Sequence, residues 1–227
     1  MEQNAIKIVL QQGSGEIVEK KSRFIAHVYP IAEEQDALDH IEKIKKEYWD
    51  ARHNCYAYVL GKRQELQRFS DDGEPSGTAG KPILEVLLGQ EIHNTLVVVT
   101  RYFGGTLLGT GGLVRAYTAA TREGLEHSLI TEQREGTKIV IHTNYTELGK
   151  LQYLLGEMEI PVLDTVYTDA VKLYALVPGW QHEAFQKKFV EVTAGKGEYE
   201  ELSEAVYVMP GKEIRIITEQ PVSKASQ

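Results

Sequence analysis

Residues 95–117 read Thr95-Leu96-Val97-Val98-Val99-Thr100-Arg101-Tyr102-Phe103-Gly104-Gly105-Thr106-Leu107-Leu108-Gly109-Thr110-Gly111-Gly112-Leu113-Val114-Arg115-Ala116-Tyr117. A β-branched run, Thr95–Thr100, passes into a loop with five glycines in nine positions, and helical spacing is expected from about Gly112. Glycines permit positive φ and close backbone approach, and a helix start carries unpaired N–H groups and a partial positive charge. Such a junction has the chemistry of an anion site, with Arg101 and Arg115 placed to clamp a phosphate. The loop is neither of the common phosphate motifs. No Lys-Ser/Thr follows the last glycine, and Val114 stands where a dinucleotide fingerprint needs its third glycine. Tight turns and close packing remain the competing explanation of the glycines.

Outward from this junction, the first half mixes strands and helices. Strand-like runs fall at 5–11, 15–21, 24–29, 54–60, 65–69 and 95–100. Helical spacing marks 33–49, 113–128 and a shorter piece at 81–89, with Pro82 near its first turn and Gly89 past its end. In the first helix Leu38, Ile41, Ile44 and Tyr48 form a core stripe. This is an α+β domain over residues 1–130.

The second half is more regular. Thr137–Thr143 alternates as a strand. Asn144 can cap a helix over 145–158 whose apolar stripe is Leu148, Leu151, Leu154, Leu155 and Met158. Two extended runs, 161–167 and 170–177, flank a short Thr168-Asp169 link. A second helix is marked by Trp180, Ala184, Phe185, Phe189 and Val192, with Gly195 to end it, and a last strand covers 199–209. The order βαββαβ is the ferredoxin-like arrangement, with two helices on one face of an antiparallel sheet. This domain is assigned to 137–219, the polar stretch Thr131–Gly136 is read as the link, and 220–227 as a loose tail.

Composition sets the outer limits. With 42% hydrophobic residues and a single cysteine in 227, the chain is neither disordered nor disulfide-stapled. No apolar run approaches the roughly 18 residues of a membrane span and no signal peptide is visible, so a cytoplasmic protein that does not meet the membrane is expected. The net charge of −8 divides equally at residue 135. Neither half is a basic arm, and any nucleic acid must be met by a local patch.

Three groups of residues could carry chemistry besides the glycine loop. In Ser70–Lys81, the carboxylates Asp71, Asp72 and Glu74 could hold a hard cation such as Mg²⁺, although Asp-Gly and Glu-Pro also favour turns whose side chains bond backbone N–H groups. Basic and aromatic residues alternate in Lys20, Lys21, Arg23, Phe24 and again in Arg52, His53, Tyr56, Tyr58, a mixture suited to phosphates and stacked bases. Cys55, on a strand with His53 two residues before it, is read as a buried, inert thiol; the competing nucleophile-and-base pair has no flanking signature. The other histidines lack ligand spacing.

Four motifs in order resemble the IMPACT family, and within it the bacterial, YigZ-type branch. They are Lys21-Ser22-Arg23-Phe24-Ile25-Ala26; Ala51-Arg52-His53-Asn54-Cys55-Tyr56-Ala57-Tyr58; Ser70-Asp71-Asp72-Gly73-Glu74-Pro75-Ser76-Gly77-Thr78-Ala79-Gly80-Lys81-Pro82; and Val99-Thr100-Arg101-Tyr102-Phe103-Gly104-Gly105 continuing through Leu108-Gly109 and Gly111–Tyr117. The resemblance covers residues 1 to about 130. It implies the α+β fold shared by the second domain of a small-subunit ribosomal protein and domain IV of the translocating elongation factor. The second half is similar to the ferredoxin-like domain V of that factor. Eukaryotic relatives regulate translation under amino-acid starvation, by competing for a co-activator of the kinase that phosphorylates an initiation factor. An extra N-terminal domain of theirs is absent from this sequence. No catalytic residue carries over.

The resulting expectation is a non-enzymatic, translation-associated regulator that binds RNA or the ribosome, with no DNA sequence specificity and no cofactor. Its patch consists of Arg23, Arg52, His53, Arg101, Gly104, Gly105, Gly111, Gly112 and Arg115, with Asp71, Asp72 and Glu74 shaping the turn beside it. Two alternatives stand. One is an enzyme or nucleotide-binding protein acting on a small phosphorylated ligand with Mg²⁺, though the Ser-rich phosphate loop of the similarly folded GHMP-type kinases is missing. The other is an adaptor with a protein partner.

Overall fold

The computed structural model describes residues 5–211 and 213–222. In chain order the elements are β1 (Ile6–Gln11), β2 (Gly13–Glu19), β3 (Ser22–Pro30), α1 (Glu34–Glu47), β4 (His53–Leu60), β5 (Leu66–Ser70), α2 (Gly80–Gly89), β6 (Ile92–His93), β7 (Thr95–Tyr102), α3 (Gly109–Glu126), β8 (Leu129–Thr143), α4 (Leu148–Glu157), β9 (Val162–Tyr167), β10 (Val171–Pro178), α5 (His182–Val192), β11 (Glu198–Val208) and β12 (Arg215–Pro221). A single 3₁₀ turn, Gly179–Gln181, precedes α5. Two compact units result, Ile6–Glu132 and the chain from Gln133 onward.

The first unit is built on an antiparallel five-stranded sheet in the order β2-β3-β7-β4-β5. Its central strand β7 is buried from Thr95 through Arg101, because both faces are covered. Val97 and Val99 point into a core with Phe24, Ala26, Cys55 and Ala57 under α2 and α3. Leu96 and Val98 point the other way, into a core with Tyr58, Ile41 and Ile44 of α1. A strand buried on both sides reads as a continuous apolar run, which is why Thr95–Thr100 was conspicuous in the sequence.

Helix α2 has no capping side chain of its own. Asp71, far upstream, accepts from the backbone N–H groups of Gly77, Ala79 and Gly80 at 2.8, 3.0 and 2.9 Å and takes the capping role. Helix α3 starts at Gly109, three residues before the expected position. Glycine's low helix propensity hides this extra turn from the sequence, while the packing of Leu113, Ala116 and Tyr117 stabilises the helix from within.

In the second unit the sheet order β12-β11-β8-β10-β9 contains the ferredoxin-like order, with every pairing antiparallel. Helices α4 and α5 bury Leu151, Leu154, Leu155, Phe185 and Phe189 against Ile139, Ile141, Leu173, Ala175 and Val177. Strand β12, on the edge beside β11, extends the expected four-stranded sheet. Of the stretch read as a tail, Gln220 and Pro221 close β12, and residues 223–227 lie outside the described residues. Thr131–Gly136, read as a polar link, lies inside the 15-residue strand β8. Its Gln133–Gly136 portion pairs with Val208–Ala205, so the ladder holds a polar segment extended.

Phe24 is fully buried and meets Tyr117 edge-on at 5.1 Å. Phe24→Ala is expected to destabilise the first unit by about 3–5 kcal/mol, read as a lower urea midpoint.

Candidate nucleic-acid interface

The register of the sheet sorts the candidate residues. Phe24 and His53 stand directly opposite Arg101 on the two neighbouring strands, whereas Arg23 stands opposite Tyr102. Side chains alternate along a strand. Arg101 and His53 therefore share the α2 and α3 face, and Arg23 and Tyr102 share the opposite one.

Arg101 is only 7% exposed and its Nη1 donates to Glu74 Oε1 at 2.6 Å. Its guanidinium also lies 5.4 Å from the Phe24 ring centroid and 5.7 Å from that of Phe103. The same Glu74 oxygen accepts from the Tyr117 hydroxyl at 2.9 Å. Cys55 Sγ follows, 3.3 Å from the Tyr117 hydroxyl and 3.0 Å from the Asp71 carbonyl to which it donates. A buried polar chain thus ties β7, the Asp71–Glu74 turn, α3 and β4 together. Burial pushes the Cys55 thiol far above its ordinary range, and burial together with Cys55 does the same to Tyr117.

His53 is likewise engaged, its Nδ1 donating to the Asp72 carbonyl at 2.9 Å. Cys55 Sγ is directed to the Asp71 carbonyl and the Tyr117 hydroxyl, and among the described residues no hydrogen bond links it to His53. The three carboxylates of the turn diverge. Asp71 caps α2, Asp72 accepts from the Asn54 backbone at 2.7 Å and from Lys45 at 2.8 Å, and Glu74 holds Arg101. Among the described residues no group of three or more His, Cys, Asp or Glu side chains converges to hold a metal ion. The carboxylates considered for Mg²⁺ from the sequence have protein partners instead, at both oxygens of Asp71 and Asp72 and at Oε1 of Glu74.

Above the polar chain lies the glycine loop. Gly104 is pinned, since a Cβ there would overlap the Lys21 carbonyl and the Ser22 nitrogen, and its own N–H donates to Ser22 Oγ at 3.1 Å. Gly105 and Gly109 adopt φ of 82° and 71°, where only glycine is unstrained. From Gly105 to Gly111 the loop is open to solvent apart from half-buried Leu108, and its tip carries Leu107 at 83% exposure. The first turn of α3 has neither a side-chain cap nor an acidic residue. Gly111 is exposed there, Gly112 is buried, and Arg115 projects to solvent one turn on.

The remaining candidates are spread around this feature. Arg52 is exposed just ahead of β4. Arg23 lies over the Tyr102 ring at 5.8 Å and is held by Glu16 through two bonds of 2.7 and 2.9 Å. Tyr56 stacks on Tyr58 and packs against the α1 core. Sequence reasoning missed Trp49, which is 81% exposed beyond the end of α1, next to Asp50 whose carboxylate accepts from the Tyr102 hydroxyl at 2.7 Å. Periodicity placed it at a helix end and held no signal for its exposure.

The family model for the Impact N-terminal domain matches residues 20–125, which include the whole polar chain and the glycine loop. "IMPACT family member YvyE" of Bacillus subtilis is 44% identical over 195 residues, covering 85% of this chain and 89% of that protein. The chain belongs to the IMPACT family. "IMPACT family member YigZ" of Escherichia coli is 36% identical over 178 residues, covering 78% of this chain and 87% of that one. A second model, for a domain of unknown function, matches residues 141–196 of the ferredoxin-like unit. A crystal structure of a hypothetical protein superposes with a TM-score of 0.57 at 32% identity, over 87% of this chain and 97% of that chain. No described helix is long and apolar enough to cross a membrane.

Two outcomes follow for the polar chain of this IMPACT-family protein. Arg101→Ala and Glu74→Ala should each cost about 3–5 kcal/mol, since each strands a buried charge, and the pair Arg101→Met with Glu74→Leu should cost less than the sum of the two; urea unfolding of all the variants measures this. Cys55 should resist a disulfide thiol reagent at pH 8 in the native protein and react at once in denaturant.

Proposed function

We propose that this protein is a non-enzymatic, translation-associated regulator whose N-terminal unit meets RNA, on or off the ribosome, through the glycine loop and the start of α3. The observation that carries this reading is the open N-terminus of an 18-residue helix, uncapped, free of acidic residues and flanked by exposed Arg115. Aligned peptide dipoles and unpaired N–H groups there attract a phosphate, and glycines allow its backbone to come close. Arg52 and Arg115 supply the exposed charge. Arg101 works from beneath, holding the loop through Glu74 and leaving the contact itself to others. Trp49 and Tyr102 offer rings for unpaired bases. The regulatory role rests on kinship with the eukaryotic members of the IMPACT family.

The measurement is fluorescence anisotropy with labelled single-stranded and hairpin RNA. Binding should weaken steeply between about 50 and 200 mM salt, as expected when a few phosphates are neutralised. Arg115→Ala and Arg52→Ala should each weaken it several-fold without loss of folding. Absence of binding at about 50 mM salt refutes the RNA reading. The exposed apolar tip, Phe103 and Leu107, favours a protein partner as the second reading. Retrieval of a stoichiometric protein partner, lost on Leu107→Asp, would move the assignment there.

A further inference from the structure

The tip of the β2–β3 hairpin holds two cations, Lys20 and Lys21, that have no part in the proposed contact. Glu19 and Ser22 stand opposite each other and close the hairpin, so its turn consists of these two lysines alone. Both lie in the left-handed region, at φ of 45° and 67°, as a two-residue turn between right-twisted strands requires. Asn-Gly is the sequence that suits this geometry, because most residues with a Cβ are strained there. Lys20 and Lys21 are the only consecutive left-handed pair without a glycine among the described residues.

The fold itself gives no reason for lysine at these positions. Both are exposed, and no described ion pair or hydrogen bond engages either ammonium. On the same hairpin Arg23 and Glu16 neutralise each other at 2.7 Å, and exposed Glu19 offsets one of the two lysines, so the tip stays net positive. The turn does touch the glycine loop. The Lys21 carbonyl and the Ser22 nitrogen fill the space that a Cβ of Gly104 would need, and the Gly104 N–H donates to Ser22 Oγ at 3.1 Å. Backbone meets backbone, and this contact fixes the strained turn at the start of the loop. Strain that the surroundings hold in place, with no gain in packing, points to function.

We propose that Lys20 and Lys21 bind the sugar-phosphate backbone of the RNA strand that meets the start of α3, as a second electrostatic contact beside the glycine loop. The inference rests on the RNA reading of that loop. A lysine is a point charge on a flexible stem, and phosphate contacts carry no base information. The hairpin therefore adds affinity and salt dependence without sequence preference.

The test is fluorescence anisotropy of the full chain with labelled single-stranded RNA between about 50 and 200 mM salt. Lys20→Asn with Lys21→Gly should raise the urea midpoint, since these residues match the turn. The same variant should bind RNA about tenfold more weakly, with the slope of log affinity against log salt reduced by about 1–2. Lys20→Arg with Lys21→Arg should keep the affinity. Lys187→Gln with Lys196→Gln, two exposed positions of the ferredoxin-like unit, removes the same charge and should leave binding unchanged. The proposal is overturned if the Asn-Gly variant binds like the wild type with the same salt slope, if the Lys187 and Lys196 pair loses as much, or if the Asn-Gly variant is less stable, which would give the lysines a structural role. A wild-type chain that binds no RNA at about 50 mM salt refutes the RNA reading itself, and this inference with it.

Discussion

The ion pair between Arg101 and Glu74 is the constraint around which the N-terminal unit is organised. Two opposite charges removed from water are tolerated only when they meet each other and find further partners. Here Arg101 meets Glu74 and two aromatic rings, and Glu74 meets Arg101 and Tyr117. Pairing them brings the end of β7, the turn after β5 and the first turns of α3 to one place. The glycine loop is suspended between β7 and α3, so its position is inherited from this pair. Gly104, pressed onto the β2–β3 turn, is the second anchor.

The alternation of the sheet then distributes the chemistry. Residues 101 and 102 are neighbours in sequence and point to opposite faces, so Arg101 enters the core under the helices while Tyr102 joins Arg23 on the other side. A run of arginines that looks like one patch in the sequence becomes a buried strut, an ion-paired surface residue and two exposed cations that make no ion pair among the described residues. The net charge of −8 on the chain makes the position of each such cation matter more than their number. The same logic makes the Asp71–Glu74 turn a structural joint: each carboxylate answers a different donor, and the joint holds α2, β4 and β7 together.

Much of the fold was legible because it rests on short-range pattern. The apolar run of β7, the stripe of α1 and the βαββαβ order of the second unit appear directly in spacing and in turn residues. The misreadings have physical causes. Residues 131–136 look like a linker because their side chains are polar, yet a strand is held by its ladder, and β11 supplies one. The start of α3 was displaced because three glycines have poor helix propensity and packing farther along overrides it. Trp49 gave no signal, since exposure of one aromatic at a helix end depends on what happens not to cover it.

Local propensity and periodicity, both properties of neighbouring residues, were enough to determine the element types, the two-domain order and the glycine junction, and they carried the motifs that mark the family. Which arginine is buried, which carboxylate faces which donor, and which turn the glycine loop is pressed against were decided only by the tertiary structure. The reason is one of distance: Arg101 lies 27 residues from Glu74 and farther still from its cross-strand partners His53 and Phe24, and no pattern within a window of sequence encodes which distant group will neutralise a charge once both have left water.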